Sequence, residues 1–244
     1  MSDRYYKTQG IILRTYKLGE ADKIAVLYTK DYGKIRAVVK GVRKPTSKLG
    51  AIIEPGSLVD FYLYRTGGEL QKIIQAVNIN GYKRLKSDLD KLNEAFAILE
   101  TVDRACEDSN PSTEIFTMLT NVLKWLDTYD KNIRLVFPAF CLKLMLIEGA
   151  GLVVDYCIFC NKDVKLVAFE MNENGFSCEK CRKSRRLSET TINAVRQVLG
   201  GTLRNLLETD SLLEVKEFEL LSVSAMEHYL GAQIKSFKKS VSIF

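Results

Sequence analysis

The stretch that decides the fold is GEADKIAVLYTKDYGKIRAVVKGVRKPTSKLG, residues 19–50. In residues 24–29, Ile24, Val26 and Tyr28 alternate with Ala25, Leu27 and Thr29, and in residues 34–40 apolar side chains alternate with mostly basic ones; both runs contain β-branched residues. This period of two is typical of β-strands. The three residues that end at Gly33 separate the runs, and glycine there permits the positive φ of a tight turn. The stretch therefore predicts a β-hairpin followed by a loop.

Positive charge is concentrated around this hairpin. Residues 1–80 hold 14 lysines and arginines against 7 acids, and no acid occurs between Asp31 and Glu54. Such a localised basic surface favours a polyanion, although a solvated lysine-rich face would produce the same pattern. We expect contacts to a nucleic-acid backbone from the second strand and an adaptable loop after it, with two flanking cations. The predicted contact residues are Arg14, Lys23, Lys34, Arg36, Lys40, Arg43, Lys44 and Lys48.

Three further strands surround the hairpin. The patterns at residues 4–14, 57–65 and 70–79 alternate with a period of two, and Gly67–Gly68 supplies a turn between the last two. Five short strands with no helix long enough to cover a sheet predict a closed OB-type barrel, a fold that commonly binds oligonucleotides. Aromatic residues are frequent here; some must fill the barrel, and tyrosines on a basic face could stack on unpaired bases. The sequence does not indicate which tyrosines do so.

The rest of the chain changes to a helical period. Apolar residues recur every three or four positions over 83–107, after Ser112, over 133–148, after Ser188 and over 214–230. We expect these helices to form one all-α bundle. Its single histidine, His228, is expected on a helix surface and not in a catalytic site.

Two cysteine pairs interrupt the helical region. Cys157 and Cys160 form one CxxC motif, and Cys178 and Cys181 form a second after seventeen residues. This spacing predicts a tetrahedral Cys₄ zinc site on a small hairpin, within an insertion at residues 155–187. Four thiolates close the coordination shell, so the site is expected to be structural; a dithiol redox centre is the alternative.

Several classes of protein are disfavoured because the sequence lacks their characteristic motifs. No apolar run is long enough to span a membrane, and the polar first residues do not resemble a secretory signal. With paired cysteines that suit a metal, a cytoplasmic location is expected. No GxxxxGK[ST] phosphate loop occurs, so ATP hydrolysis is not expected. Asp22, Asp31, Asp60 and Glu69 are scattered mostly at turns, which argues against a nuclease that needs grouped carboxylates.

At this point the order of motifs resembles the RecO family of bacterial recombination mediators. The likeness covers essentially the whole chain and is most specific in the first 50 residues and at the cysteines, which follow a Gly-Ala-Gly helix end at 149–151. The matching features of the first 50 residues are Gly10, Arg14, Gly19-Glu20-Ala21-Asp22, Thr29, Gly33-Lys34, Lys40-Gly41-Val42-Arg43 and Ser47-Lys48-Leu49-Gly50.

This resemblance implies an OB domain at 1–80 and a helical domain at 81–244 with an inserted zinc element. It also implies a non-enzymatic, nucleoid-associated protein that binds single- and double-stranded DNA and anneals complementary strands. With RecR, such a protein would help load RecA onto strands covered by single-strand-binding protein. The alternative is a zinc-ribbon RNA-binding or transcription-associated factor, which relative affinities for DNA and RNA would distinguish.

Overall fold

The computed structural model describes residues 4–208 and 215–237 and contains two compact units. The first unit ends at Thr128 and the second begins at Tyr129. In these ranges, no helix is both long and apolar enough to cross a bilayer. The strands are β1 Tyr5–Leu18, β2 Asp22–Thr29, β3 Gly33–Val39, β4 Leu58–Tyr64, β5 Leu70–Asn80, β6 Leu166–Glu170 and β7 Gly175–Cys178. The helices are α1 Lys83–Ser87, α2 Leu89–Ala105, α3 Thr113–Thr128, α4 Ile133–Ile147, α5 Glu189–Gly200, α6 Leu203–Leu207 and α7 Val215–Leu230.

The first five strands close into a barrel in the order β1-β2-β3-β5-β4, and β4 pairs back onto β1. The strand β1 pairs with β4 through residues 5–11 and with β2 through residues 10–18, and the register with β2 shifts between Ile12 and Arg14. Within the barrel, β3 and β5 pair in parallel and the other strand pairs are antiparallel. The predicted five-stranded OB barrel is therefore confirmed.

Alternation along the strands fills the barrel as the period of two requires. On β3 the side chains of Ile35, Ala37 and Val39 are buried, while the residues between them point outward. Phe61 and Leu63 do the same on β4. Gly10 on β1 lies where an added Cβ would be 3.2 Å from both the Phe61 ring and the Thr29 methyl group, so a larger residue would require these side chains to shift.

Three helices complete the first unit, and the helix expected over 83–107 is divided. Asp88 has an extended backbone and its carboxylate accepts hydrogen bonds from the N–H groups of Asp90 and Lys91, so it ends α1 and caps α2. Along α2, Leu89 is 73% exposed, whereas Ile98 and Val102 are buried and belong to the packing face of the helix.

The second unit packs α5, α6 and α7 against α4, and Pro138 lies inside α4. Before α5, the strands β6 and β7 form the small hairpin that was expected between the cysteine pairs, joined by a 3₁₀ turn at Met171–Glu173. Phe176 on β7 is fully buried. His228 is on the exposed side of α7, as expected.

Helix α4, which precedes the cysteine motif, packs with α5 to α7, which follow it, in the second unit. Helices α1 to α3 are grouped with the barrel. The expected bundle with an inserted cysteine hairpin is therefore formed by α4 to α7. The proposed boundary at 80/81 coincides with the end of β5 at Asn80 but not with the division at 128/129, and it stays a prediction about which part folds independently.

Candidate nucleic-acid interface and metal centre

The loop after β3 is held in one conformation by its backbone. Gly41, with φ of 66°, donates its N–H to the Asp22 carboxylate at 2.7 Å, and Arg43 donates its N–H to the Ala21 carbonyl at 2.9 Å. Val42 is buried and packs into the barrel core. The start of the loop, where an adaptable segment was expected, is docked in the structure on the turn between β1 and β2.

Its cationic side chains nevertheless stay exposed. Lys40, Lys44 and Lys48 have no ion pair or hydrogen bond from their ammonium groups among the described residues. Arg43 uses one of its five N–H donors on the Gly19 carbonyl at 2.7 Å. We call these four residues the loop cations. A fixed backbone with free cations suits a phosphate chain, since little order is lost when the phosphates bind.

Three other predicted contact residues meet acids of the first unit instead; we call Arg14, Lys34 and Arg36 the strand cations. Lys34 is 8% exposed and its Nζ lies 2.6 Å from the Asp103 carbonyl oxygen and 3.2 Å from the Asp108 carboxylate. The expectation of an open strand face is corrected at Lys34, because the end of α2 covers it. Direct contact with a phosphate would require its removal from this site.

Arg36 and Arg14 are covered less completely. The Arg36 guanidinium lies 3.1 Å from Asp108, and the Arg14 guanidinium lies 2.7 Å from Asp103. Burial raises the pKa of Asp103 from its ordinary value, and the neighbouring cations Arg14, Lys34 and Arg36 oppose that rise. Both arginines remain partly exposed, so Arg36 as part of the main contact surface and Arg14 as a flanking contact stay predictions.

Lys17 is a candidate contact residue that the sequence patterns did not indicate. Lys17 on β1 is directly opposite Lys23 on β2, and Lys23 in turn pairs with Val39 beside the loop. Like charges directly opposite each other destabilise a strand pair, so this arrangement favours a bound anion. The signal was present in the hairpin register: the turn after Leu18 fixes Leu18 opposite Asp22 and therefore Lys17 opposite Lys23.

The four paired cysteines converge in the second unit. Their sulfur atoms all lie within 4.8 Å of one another, near the edge of about 3.8 Å that Zn–S bonds of about 2.3 Å give a tetrahedron. Each CxxC motif is turned by its backbone: Asn161 donates to the Cys157 carbonyl, and Arg182 donates to the Cys178 carbonyl. Cys106 and Cys141 are separately buried, as expected for core thiols.

The thiols differ in how readily they ionise. Burial acts to raise the pKa of Cys157, but hydrogen bonds from backbone N–H groups, including that of Cys178, outweigh it and lower the pKa to about 6. A hydrogen bond with Cys178, together with burial and the neighbouring Cys157, raises the pKa of Cys181 to about 12. Four thiolates therefore coexist at neutral pH only around a cation, which is the chemistry of a Cys₄ metal site.

A buried carboxylate organises the segment after the second cysteine pair. Glu170 accepts hydrogen bonds from the Ser177 hydroxyl at 2.6 Å, the Lys183 N–H at 2.9 Å and the Ser184 hydroxyl at 2.8 Å. Burial alone would raise the pKa of Glu170, but these donors outweigh it and hold the pKa below its ordinary value. The segment is thereby fixed against the cysteine hairpin.

The basic side chains of this segment, residues 180–186, are largely engaged. Glu179 lies 3.1 Å from Arg182 and 3.4 Å from Arg186. The Lys183 ammonium is 4.3 Å from the centre of the Phe159 ring, which is a cation–π contact. Three of the five cations of this segment are therefore held by contacts within the cysteine element.

Two of the acids considered for a nuclease centre accept hydrogen bonds within the barrel instead. Asp22 holds the Gly41 N–H, and Asp31 accepts from the Thr8 hydroxyl at 2.7 Å. Within residues 4–208 and 215–237, the four cysteines are the only group of potential metal ligands that converges.

Comparison with known proteins gives one family over nearly the whole chain. Residues 1–82 match the family model "Recombination protein O N terminal" and residues 86–237 match "Recombination protein O C terminal". Three similar proteins, each named "DNA repair protein RecO", share 30–34% identity with it. The Thermoanaerobacter protein is 30% identical over 96% of both chains. The Frankia casuarinae protein is 31% identical over 84% of this chain and 86% of its own. The Rubrobacter xylanophilus protein is 34% identical over 72% and 71%.

Proposed function

The chain belongs to the RecO family of DNA repair proteins, and on that premise we propose that it binds single- and double-stranded DNA and anneals complementary strands. The observation that carries the proposal is the set of loop cations Lys40, Arg43, Lys44 and Lys48, exposed on an ordered loop of an OB barrel. Lys17 and Lys23 extend the same surface along β1 and β2. These groups contact the backbone, so binding is expected to be largely independent of base sequence.

The proposed place of the protein in repair is that of a mediator. With RecR, it promotes the loading of RecA onto single strands covered by single-strand-binding protein, in the cytoplasm at the nucleoid. The support for these partners is membership of the family. Annealing itself follows from electrostatics, because two phosphate chains approach each other only when cations screen their charge.

The protein is proposed to act without catalysis of its own. A nuclease would need grouped carboxylates for Mg²⁺, and the acids of the barrel are used for hydrogen bonds to Gly41 and Thr8. The metal of the cysteine site is proposed to be Zn²⁺, held by all four thiolates with no position left for water or substrate. Its role is then to fold the hairpin and the segment that follows it.

The salt dependence of DNA binding tests the interface. If about four phosphates are neutralised, the logarithm of the binding constant should fall with the logarithm of salt concentration with a slope of about −3 on single strands. Replacing Arg43 and Lys44 together with alanine should weaken binding on every sequence and flatten the slope by about one to two units. Fluorescence anisotropy across a salt series measures both quantities.

A matched control removes the same charge elsewhere in the first unit. Lys83 and Lys124 are exposed on α1 and α3, outside the proposed interface. The double variant Lys83→Ala/Lys124→Ala should leave the slope within about half a unit of the parent value. Equal slopes for both double variants would remove the loop from the interface, and higher affinity for an RNA of matched sequence would favour the RNA-binding alternative.

A further inference from the structure

Three tyrosines form a surface cluster on the outer face of β1 and β4. Tyr5 is directly opposite Tyr64, and its ring lies 4.9 Å from the Tyr64 ring. The Tyr5 and Tyr62 rings are stacked at 5.5 Å with an angle of 17° between their planes. Tyr5 is 46% exposed, and the other two rings are half-buried. We call these three residues the tyrosine platform.

Cations border the platform on both neighbouring strands. Lys7 on β1 is directly opposite Tyr62, and Lys72 on β5 is directly opposite Tyr64. Arg4 donates a hydrogen bond to the Tyr64 hydroxyl at 3.1 Å. The acid on this face, Asp60, pairs with Gln9 two residues further along β1. Exposed rings edged by positive charge are complementary to bases carried on a phosphate chain.

A second tyrosine pair at the barrel is covered by an arginine of the protein itself. Tyr6 and Tyr32 meet edge to face at 4.5 Å and pack against the barrel core. The Arg65 guanidinium lies over both rings, at 4.8 Å from the Tyr6 centre and 5.3 Å from the Tyr32 centre. The protein itself therefore covers that pair, whereas no cation–π contact covers the platform rings in the described part of the chain.

We propose that the tyrosine platform is a second DNA-binding surface, which holds unpaired bases of single-stranded DNA by stacking on Tyr5 and Tyr62, with Arg4, Lys7 and Lys72 beside the phosphates. This inference rests on the proposed DNA-binding function. It goes beyond that function because it assigns contacts to bases, whereas the loop cations contact only the backbone. Stacking accepts any base, so the preference is for single-stranded over paired DNA and not for one sequence.

The topology separates this surface from the loop cations. The loop leaves β3 at Val39, which is opposite Lys23 near the start of β2 and thus beside the end of β1. Tyr5 is at the beginning of β1, opposite the last residue of β4. The two surfaces therefore lie toward opposite ends of the 14-residue strand β1. One protein could hold a strand by its phosphates at one end and unpaired bases at the other.

The test compares two oligonucleotides that have the same number of phosphates. One carries thymine bases and the other is abasic, so the difference in their affinities for the full chain isolates the base contacts. We expect the thymidine oligonucleotide to bind more tightly, by at least about fivefold for each stacked base. The variants Tyr5→Leu and Tyr62→Leu should each reduce this preference, while Tyr5→Phe and Tyr62→Phe, which keep the ring, should retain it.

Two measurements separate stacking from a role in stability alone. Tyr229 is an exposed tyrosine on α7 in the second unit, so Tyr229→Leu is the matched control and should leave the preference unchanged. Should a leucine variant not fold, a parent-protein complex with a 5-iodouracil oligonucleotide remains informative. Irradiation should crosslink the stacked base to Tyr5 or Tyr62, and peptide mapping locates the crosslink.

The outcomes distinguish failure of this inference from failure of the proposed function. A thymine preference that persists in folded Tyr5→Leu/Tyr62→Leu protein, or crosslinks only outside the platform, would overturn the inference. Equal affinity of the parent protein for both oligonucleotides would also overturn it, yet a salt slope of about −3 would leave the loop interface standing. If neither oligonucleotide binds, the proposed function itself fails.

Discussion

The loop at 40–48 and the segment at 180–186 are both basic, and each has its backbone held by a carboxylate, but their side chains differ. Asp22 anchors the loop through the Gly41 N–H, and Glu170 anchors the segment through the Lys183 N–H. The loop cations then extend into solvent, whereas Arg182 and Arg186 turn back to Glu179. Cation density alone therefore does not locate a binding surface. Whether a cation is available to bind DNA depends on the acids and aromatic rings that it contacts within the protein.

The largest expected effect in this comparison comes from the metal site. Cys178→Ser should abolish the proposed metal binding and lower the free energy of unfolding by at least about 3 kcal/mol, because binding of a structural metal contributes directly to folding. The salt slope of DNA binding should stay near the parent value, since the loop cations belong to the other unit. Elemental analysis and thermal unfolding measure the loss, and a collapsed slope would tie the interface to the knuckle.

Lys34, a buried cation of the barrel, provides a second test of the difference between exposed and engaged cations. Lys34→Met should lower the free energy of unfolding by about 2 kcal/mol, because the buried Asp103 carbonyl loses its donor; the half-exposed Asp108 adds little. Chemical denaturation measures this change. The salt slope should not flatten, in contrast to the effect of replacing Arg43 and Lys44. Normal stability together with a flatter slope would return Lys34 to the contact surface.

A smaller effect concerns pH. Glu170→Gln should lower the free energy of unfolding by about 1–2 kcal/mol at neutral pH, because the neutral amide keeps only one acceptor oxygen and lacks the charge that strengthens these hydrogen bonds. The folded pKa of Glu170 lies below the ordinary value of 4.5, so its stabilisation is present above pH 4.5 and is lost as pH falls through the folded pKa. The difference between the parent and the variant should thus shrink on acidification. Denaturation at several pH values checks it, and a gap that widens in acid would contradict the assignment.

The smallest expected effect lies in the segment itself. Arg182→Ala/Arg186→Ala removes two cations already paired with Glu179, so the salt slope on single strands should change by less than about half a unit. The stability change should also be small, because these ion pairs are largely exposed. The same anisotropy series measures it. A flattening equal to that of Arg43→Ala/Lys44→Ala would make the segment part of the DNA surface.

Local sequence patterns were sufficient to predict the barrel and the convergence of the four paired cysteines. Alternation with a glycine turn determines each hairpin, and a CxxC turn brings its two thiols together whatever surrounds it. The fate of Lys34 depends on Asp103 and Asp108, about 70 residues later in the chain, on the end of a helix whose position no period reveals. The tyrosine platform likewise requires the pairing of Tyr5 with Tyr64, which only closure of the barrel creates.

The close packing at Gly33 limits where the chain can be truncated. With φ of 63°, it starts β3 so close to the segment after α2 that an added Cβ would lie 2.4 Å from the Asn110 backbone. Ser109 donates its N–H to the Lys34 carbonyl beside it. A fragment that stops at Asn80 would uncover this seam, expose the Lys34 ammonium and leave the packing face of the barrel without α2. The smallest soluble piece for crystallography or NMR should therefore extend to Thr128, and substituting Gly33 should harm that piece as much as the whole protein.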